Sequence, residues 1–175
     1  VNALRNDAHG ALAIAQSGGA DFIRVNIHTG AALTDQGIIE GRAWETLRVR
    51  STLRSDALIL ADVRVKHATP LGNFSIAEEV RDAVDRGKAD AIIASGPATG
   101  KPVDPGELNA IRQSTFGPLI IGSGVIPENI ASLAEMADGF IVGSYFKRDG
   151  KASNPVDEER VKRFTEAFTK HIGQL

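Results

Sequence analysis

The chain has 175 residues, 24 % of them charged and 42 % hydrophobic, a balance that predicts one globular domain over residues 1–175 and excludes a disordered or fibrous chain. Twenty Lys and Arg against twenty-two Asp and Glu leave a formal net charge of -2, so no basic excess is available to hold a nucleic-acid backbone. Cysteine is absent, which removes disulfides, thiolate nucleophiles and Cys-ligated metals and fits a reducing, cytoplasmic setting. No apolar run approaches the roughly 20 residues of a membrane helix, and the opening residues do not read as a signal peptide.

Six apolar runs of strand length recur along the chain: Val1–Leu4, Asp21–Ile27, Ala57–Val65, Ala89–Ala94, Pro118–Ile121 and Gly139–Val142. Most are short, rich in Ile and Val and apolar through their middles, as parallel strands covered on both faces are. Helical segments lie between them. Ser75-Ile76-Ala77-Glu78 reads as a capping box that opens a helix to about Arg86, with Gly87 as its C-cap. Asp104-Pro105-Gly106-Glu107 places a capping carboxylate before a first-turn proline. Pro127-Glu128-Asn129 opens a third helix, and a closing helix runs from about Val156 to His171, acidic at its start and basic at its end. The stretch from Gly30 to Arg42 is too long for an ordinary strand–helix turn and reads as a lid, a binding loop or a solvated insertion.

Strand–helix alternation predicts an α/β fold with a parallel sheet. The strand ends favour a TIM (β/α)8 barrel over a doubly wound sheet. One face of Phe22-Arg24-Asn26-His28, and of Leu58-Leu60-Asp62-Arg64-Lys66, becomes polar towards the C-terminal end. The opposite face stays apolar, the gradient a barrel interior shows as it rises to its mouth.

Three motifs carry chemistry. Ile121-Gly122-Ser123-Gly124-Val125 runs from a strand through a glycine-flanked serine towards a helix start, and Val142-Gly143-Ser144 repeats a small-residue turn one strand later. Paired turns after the last two strands of a barrel form an anion or phosphate site; the plain alternative is two tight turns. Asp62, Arg64, Lys66 and His67 form the second constellation. A strand-end lysine with a nearby carboxylate suits Schiff-base or proton-transfer chemistry. The alternative is a salt-bridged interior layer in which Asp62 holds Arg64 or Arg24. Arg24, Asn26, His28 and Thr29 make the third, with His28 as acid/base, metal ligand or structural hydrogen-bonder. Arg5, Asn6 and Asp7 are mouth residues or helix caps, and Lys147 lies in a basic loop beside the anion turns.

The phrases Leu4-Arg5-Asn6-Asp7, Asp21-Phe22-Ile23-Arg24-Val25-Asn26 and Thr34-Asp35-Gln36-Gly37-Ile38-Ile39-Glu40-Gly41 resemble the BtpA/SgcQ family. So do Leu60-Ala61-Asp62-Val63, Val65-Lys66-His67 and the closing Gly143-Ser144 with Lys147. The resemblance implies a phosphate-binding TIM barrel akin to ribulose-phosphate-binding barrels, in a family whose name comes from photosystem I biogenesis. Family members are longer, so it also implies that the first two βα units are absent here and that strands three to eight begin at Val1. An incomplete barrel is expected to self-associate as a homo-oligomer.

The expected function is binding of a phosphorylated small molecule at the C-terminal mouth, with isomerase or lyase chemistry on a sugar phosphate. Asp62, Lys66 and His28 are the catalytic candidates. Arg24, Asn26, His67, Ser95, Gly122, Ser123, Gly124, Gly143, Ser144 and Lys147 are the binding candidates. No cofactor or metal is assigned. The alternatives are a non-catalytic assembly factor, with Phe116, Tyr145 and Phe146 as exposed aromatics, or a metal-dependent hydrolase using Asp62, His28 and His67.

Overall fold

A computed structural model describes residues 1–65, 68–96 and 100–172. Five parallel strands form its centre: β1 (Phe22–Val25), β4 (Leu58–Val63), β6 (Ala91–Ala94), β7 (Leu119–Ile121) and β8 (Gly139–Phe140), paired in the order β1-β4-β6-β7-β8. Helices separate them in sequence: α1 (Ala8–Gly18) before β1, α2 (Ala43–Leu53) before β4, α3 (Ile76–Arg81) before β6, α4 (Pro105–Ser114) before β7, α5 (Ile130–Ala134) before β8 and α6 (Glu158–Ile172) at the end. The predicted α/β fold with a parallel sheet is therefore present, and the described strands form an open sheet. The first predicted strand, Val1–Leu4, is not one. Val1 still joins the edge of β1, its amino group donating to the Phe22 carbonyl at 2.8 Å and its carbonyl accepting from Arg24 N–H at 2.7 Å.

The sheet is buried mainly by its helix-covered face. Ala61, Val63, Ile92, Ala94, Leu119 and Ile121 meet Val80, Leu108, Ile111, Ile130 and Phe164 in the larger core. Ile23, Val25 and Ile59 pack with Ala8, Ala11, Leu12 and Ala15 in a second. The other face carries a smaller cluster of Leu60, Ala91 and Ile93. Ile92 and Ile93 are adjacent in sequence and both 0 % exposed, so β6 is covered on both faces; each such side chain contributes about 1.5–3 kcal/mol. Towards the N-terminal ends, Phe22 and Leu58 are register partners and both stay largely exposed on that second face.

The Gly30–Arg42 stretch is not an irregular loop. It folds as a hairpin, β2 (Ala31–Thr34) and β3 (Gly37–Glu40), and β5 (Ala68–Pro70) pairs with β2 to make a three-stranded antiparallel sheet. The Thr34 hydroxyl donates to the Gly37 carbonyl at 2.9 Å and accepts from Gln36 N–H at 3.1 Å, which closes the turn. An Arg5–Asp35 ion pair ties the hairpin tip to the segment preceding α1.

Local signals set the helix starts. Asp7 caps α1 by accepting from Gly10 N–H at 2.8 Å, and Asp104 caps α4 by accepting from Glu107 N–H at 3.0 Å. The Ser75–Glu78 capping box is complete. α3 passes into a π-helical turn over Asp82–Arg86, and Gly87 keeps right-handed backbone angles while Lys88 takes the left-handed place (φ 53°). α5 is shorter than expected and starts only at Ile130.

Ser75 N–H and hydroxyl both donate to Glu78, and these bonds hold the Glu78 carboxyl below the usual range. A depressed carboxyl stabilises the fold above its unfolded pKa, and that contribution is lost as pH falls through the folded value. Ser75→Ala should lower stability by about 1 kcal/mol in urea unfolding at neutral pH, and the deficit should shrink below pH 4. An unchanged midpoint would show that the cap does not hold α3.

Candidate functional site

The C-terminal ends of β1, β4 and β6 bring four polar side chains together. Arg24 and Asp62 form a bidentate pair, Nε to Oδ2 and Nη2 to Oδ1, both at 2.7 Å. Asn26 Nδ2 donates to Asp62 Oδ2 at 3.0 Å, and the Ser95 hydroxyl donates to Oδ1 at 3.1 Å. The Asp62 side chain is 1 % exposed and that of Arg24 16 %. Four hydrogen bonds thus saturate a buried carboxylate. Of the two readings of Asp62, the salt-bridged layer is the one the side chains adopt, with Arg24 as partner; Arg64 pairs instead with Glu79 at 3.2 Å. Removing one partner of such a pair costs about 3–5 kcal/mol, because the other charge is left buried alone.

Register explains the meeting. Arg24 lies opposite Leu60 across the β1–β4 ladder, and Asp62 follows two residues on, on the same face. Asn6 fixes the segment beyond β1: its side chain accepts from Ile27 N–H at 2.7 Å and donates to the Ile27 carbonyl at 2.8 Å.

Beside this cluster, a cleft of about 320 Å³ opens over the ends of β7 and β8. Gly122, Ser123, Gly124, Gly143 and Ser144 line it together with Arg24, Tyr145 and Arg160. Two glycines are required by close approach. A Cβ on Gly122 would stand 2.8 Å from Ile93 Cγ2 and 3.0 Å from the Ser95 hydroxyl. Gly124 has φ +70°, and a Cβ there would stand 2.4 Å from Pro102. The Ser123 hydroxyl donates to the Lys101 carbonyl at 2.9 Å, and Asn129 bridges the turn by donating to the Gly124 carbonyl and accepting from Ile126 N–H, each at 2.9 Å. With α5 starting at Ile130, the expected helix-dipole contribution at Gly124 is absent. Charge comes instead from arginine.

Arg160 was not among the residues singled out by sequence. It projects from the first turn of α6, donates from Nε to the Tyr145 carbonyl and lies 4.4 Å over the Tyr145 ring. Its sequence signal is helical spacing: Arg160 stands one turn before Phe164, which anchors α6 in the core. Arg24 and Arg160 thus place two guanidinium groups in one cleft with small-residue turns, an arrangement suited to a dianionic oxyanion.

Other candidates lie elsewhere. His28 is 2 % exposed, with Nε2 2.8 Å from the Gly87 carbonyl, and lies in neither the Asp62 cluster nor the cleft lining. Lys147 pairs through its backbone with Val156. Tyr145 and Phe146 face inward, with rings 5.9 and 5.3 Å from Phe164, whereas Phe116 is fully exposed. Lys66 and His67 fall outside the described residues. Among the described residues no group of three or more His, Cys, Asp or Glu is placed to hold a metal, and no helix is long and apolar enough to cross a membrane.

Burial depresses the His28 imidazole below its ordinary 6.5, against the opposing Gly87 carbonyl. A native state that binds fewer protons than the unfolded chain loses stability as pH falls from 6.5 towards the lowered value. His28→Gln should flatten the stability profile over that window in urea titrations. An equally steep profile in the variant would show that His28 is not the group being titrated.

The chain is 50 % identical over 173 residues to the photosystem I biogenesis protein BtpA of Synechocystis, covering 98 % of this chain and 60 % of that protein. It therefore spans about three fifths of that relative's length. KGPDC from Streptococcus mutans superposes with a TM-score of 0.57 at 12 % identity, over 95 % of this chain and 68 % of that one. An archaeal fructose 1,6-bisphosphate aldolase superposes with a TM-score of 0.56 at 14 % identity, over 93 % and 62 %. These likenesses are to TIM-barrel-like proteins and concern the fold alone. The BtpA family model matches residues 1–170, and the chain belongs to the BtpA family.

Proposed function

We propose that the chain supplies the phosphate-binding side of a TIM-barrel mouth and binds a phosphorylated small molecule there. The observation that carries this reading is the cleft over β7 and β8, where two small-residue turns and the guanidinium groups of Arg24 and Arg160 face one space. In barrels the loops after the last two strands are the customary phosphate site, and a phosphate dianion suits two guanidinium groups.

The barrel would be completed by two further strand–helix units, in keeping with the greater length of the Synechocystis relative. The exposed Phe22 and Leu58 on the inner sheet face support this, because such a pair sits in a covered interior when strands close over it. For a chain without those units, pairing between two copies would cover the same edge.

The chemistry we favour is isomerisation or carbon–carbon lyase chemistry on a sugar phosphate, by fold analogy with the archaeal aldolase. In this scheme Asp62 is a positioning residue: it holds the Arg24 guanidinium at the cleft wall, and Asn26 and Ser95 hold Asp62. Arg24 and Arg160 neutralise the phosphate. A binding protein without turnover is the second reading, favoured by the name of the Synechocystis relative.

The test exploits Gly143, where a Cβ would meet nothing within 4 Å. Inorganic phosphate at a hundred times its Kd should raise unfolding free energy by about 2.7 kcal/mol. Gly143→Asp should weaken phosphate binding more than tenfold with the unliganded Tm unchanged, while Gly143→Ala binds as before. Absence of any phosphate stabilisation would contradict the reading.

A further inference from the structure

A second cavity, of about 80 Å³, lies between the end of β4 and the hairpin sheet. It is several times the space of about 10–15 Å³ that one water needs. Asp62 and Asn26 line it on one side, Arg64, Glu79 and Asp82 on another, and the hairpin and Phe74 close it over. It meets the phosphate cleft at the Arg24–Asp62 ion pair, since Arg24 lines the cleft and Asp62 lines this cavity. A ligand anchored in the cleft reaches the second cavity by passing over that pair.

The lining has a definite chemistry. Its described charged groups are three carboxylates and one guanidinium, and the guanidinium is already engaged, with Glu79 at 3.2 Å and the Phe74 carbonyl at 3.1 Å. A second phosphate would enter against like charge. Hydroxyl groups, which both donate and accept, suit carboxylates and an amide. The Arg64–Glu79 contact is also incompletely satisfied within the protein. Arg64 Nε and Glu79 Oε1 are buried without a hydrogen-bond partner, and Arg64 holds a left-handed backbone (φ 57°). Buried unpaired atoms and backbone strain concentrate where a ligand completes the structure. Desolvation moves Glu79 up from the usual carboxylate range, in keeping with a group held in a closed, dry space.

We infer that this cavity is the specificity half of the site and takes the uncharged polyhydroxyl end of a monophosphate ester, excluding bisphosphates. Glu79 and Asn26 receive and orient the hydroxyls, while the hairpin closes the cavity over them. The inference rests on the phosphate reading of the cleft and adds the identity of the other end of the ligand.

The experiment is calorimetric titration of the 175-residue chain with three probes: inorganic phosphate, ribulose 5-phosphate and ribulose 1,5-bisphosphate. The two sugar phosphates differ only in the second phosphate. Ribulose 5-phosphate should bind at least tenfold tighter than inorganic phosphate, and the bisphosphate should lose that gain. Glu79→Gln should remove most of the gain and leave inorganic phosphate within twofold of its original affinity. If inorganic phosphate binds but the bisphosphate binds as tightly as the monophosphate, the second cavity has been misassigned and the cleft stands. A retained gain in Glu79→Gln would likewise remove Glu79 from the site. Failure of all three probes to bind would overturn the phosphate reading and this inference together. Should Glu79→Gln not fold, the wild-type comparison of monophosphate and bisphosphate decides alone.

Discussion

A carboxylate with 1 % side-chain exposure cannot stay ionised inside a protein without partners, and the upper half of this sheet is organised around that constraint at Asp62. Arg24 supplies the opposite charge from β1, Ser95 a hydroxyl from beyond β6 and Asn26 an amide from beyond β1. Three segments distant in sequence must therefore stand in one register before the charge is compensated. A slip of one residue in β1 would turn Arg24 to the helix side and bring Val25 against Asp62. The same bonds hold Arg24 rigid at the wall of the neighbouring cleft, which is how a buried ion pair serves binding rather than stability alone.

The cleft is assembled on the same logic of close approach. Gly122 brings the chain near Ile93 and Ser95, Gly124 brings it near Pro102, and Asn129 locks the turn between them. The second arginine arrives from the far end of the chain. Phe164 packs with Tyr145 and Phe146, which seats α6 and aims Arg160 across the Tyr145 ring. Helix docking in the core and charge in the cleft are thus one event: loosening Phe164 would misplace Arg160.

Local features were legible in the sequence. The parallel strands announced themselves as short Ile- and Val-rich runs, and the Ser75–Glu78 box, Asp7 and Asp104 are caps set by neighbours a few residues away. The convergence of Arg24, Asn26 and Asp62 followed from alternation along β1 and β4. That alternation misled once it was carried past Val25. The backbone leaves the sheet there, and His28 turns into the protein against Gly87. The hairpin was missed because Ala31–Thr34 and Gly37–Glu40 are small and only weakly alternating, and because β5 completes their sheet from about thirty residues away. Arg160 was missed for a similar reason: its role depends on how α6 lies on the barrel-like sheet, which no local pattern encodes.

The most direct test of the account is a crystal structure of the chain with ribulose 5-phosphate bound. The account predicts the phosphate group in the cleft, within hydrogen-bond distance of Arg160 and the Gly143–Ser144 turn, with the Arg24–Asp62 pair intact beside it. A phosphate found under the hairpin, or against the exposed edge of the sheet with the cleft empty, would contradict it.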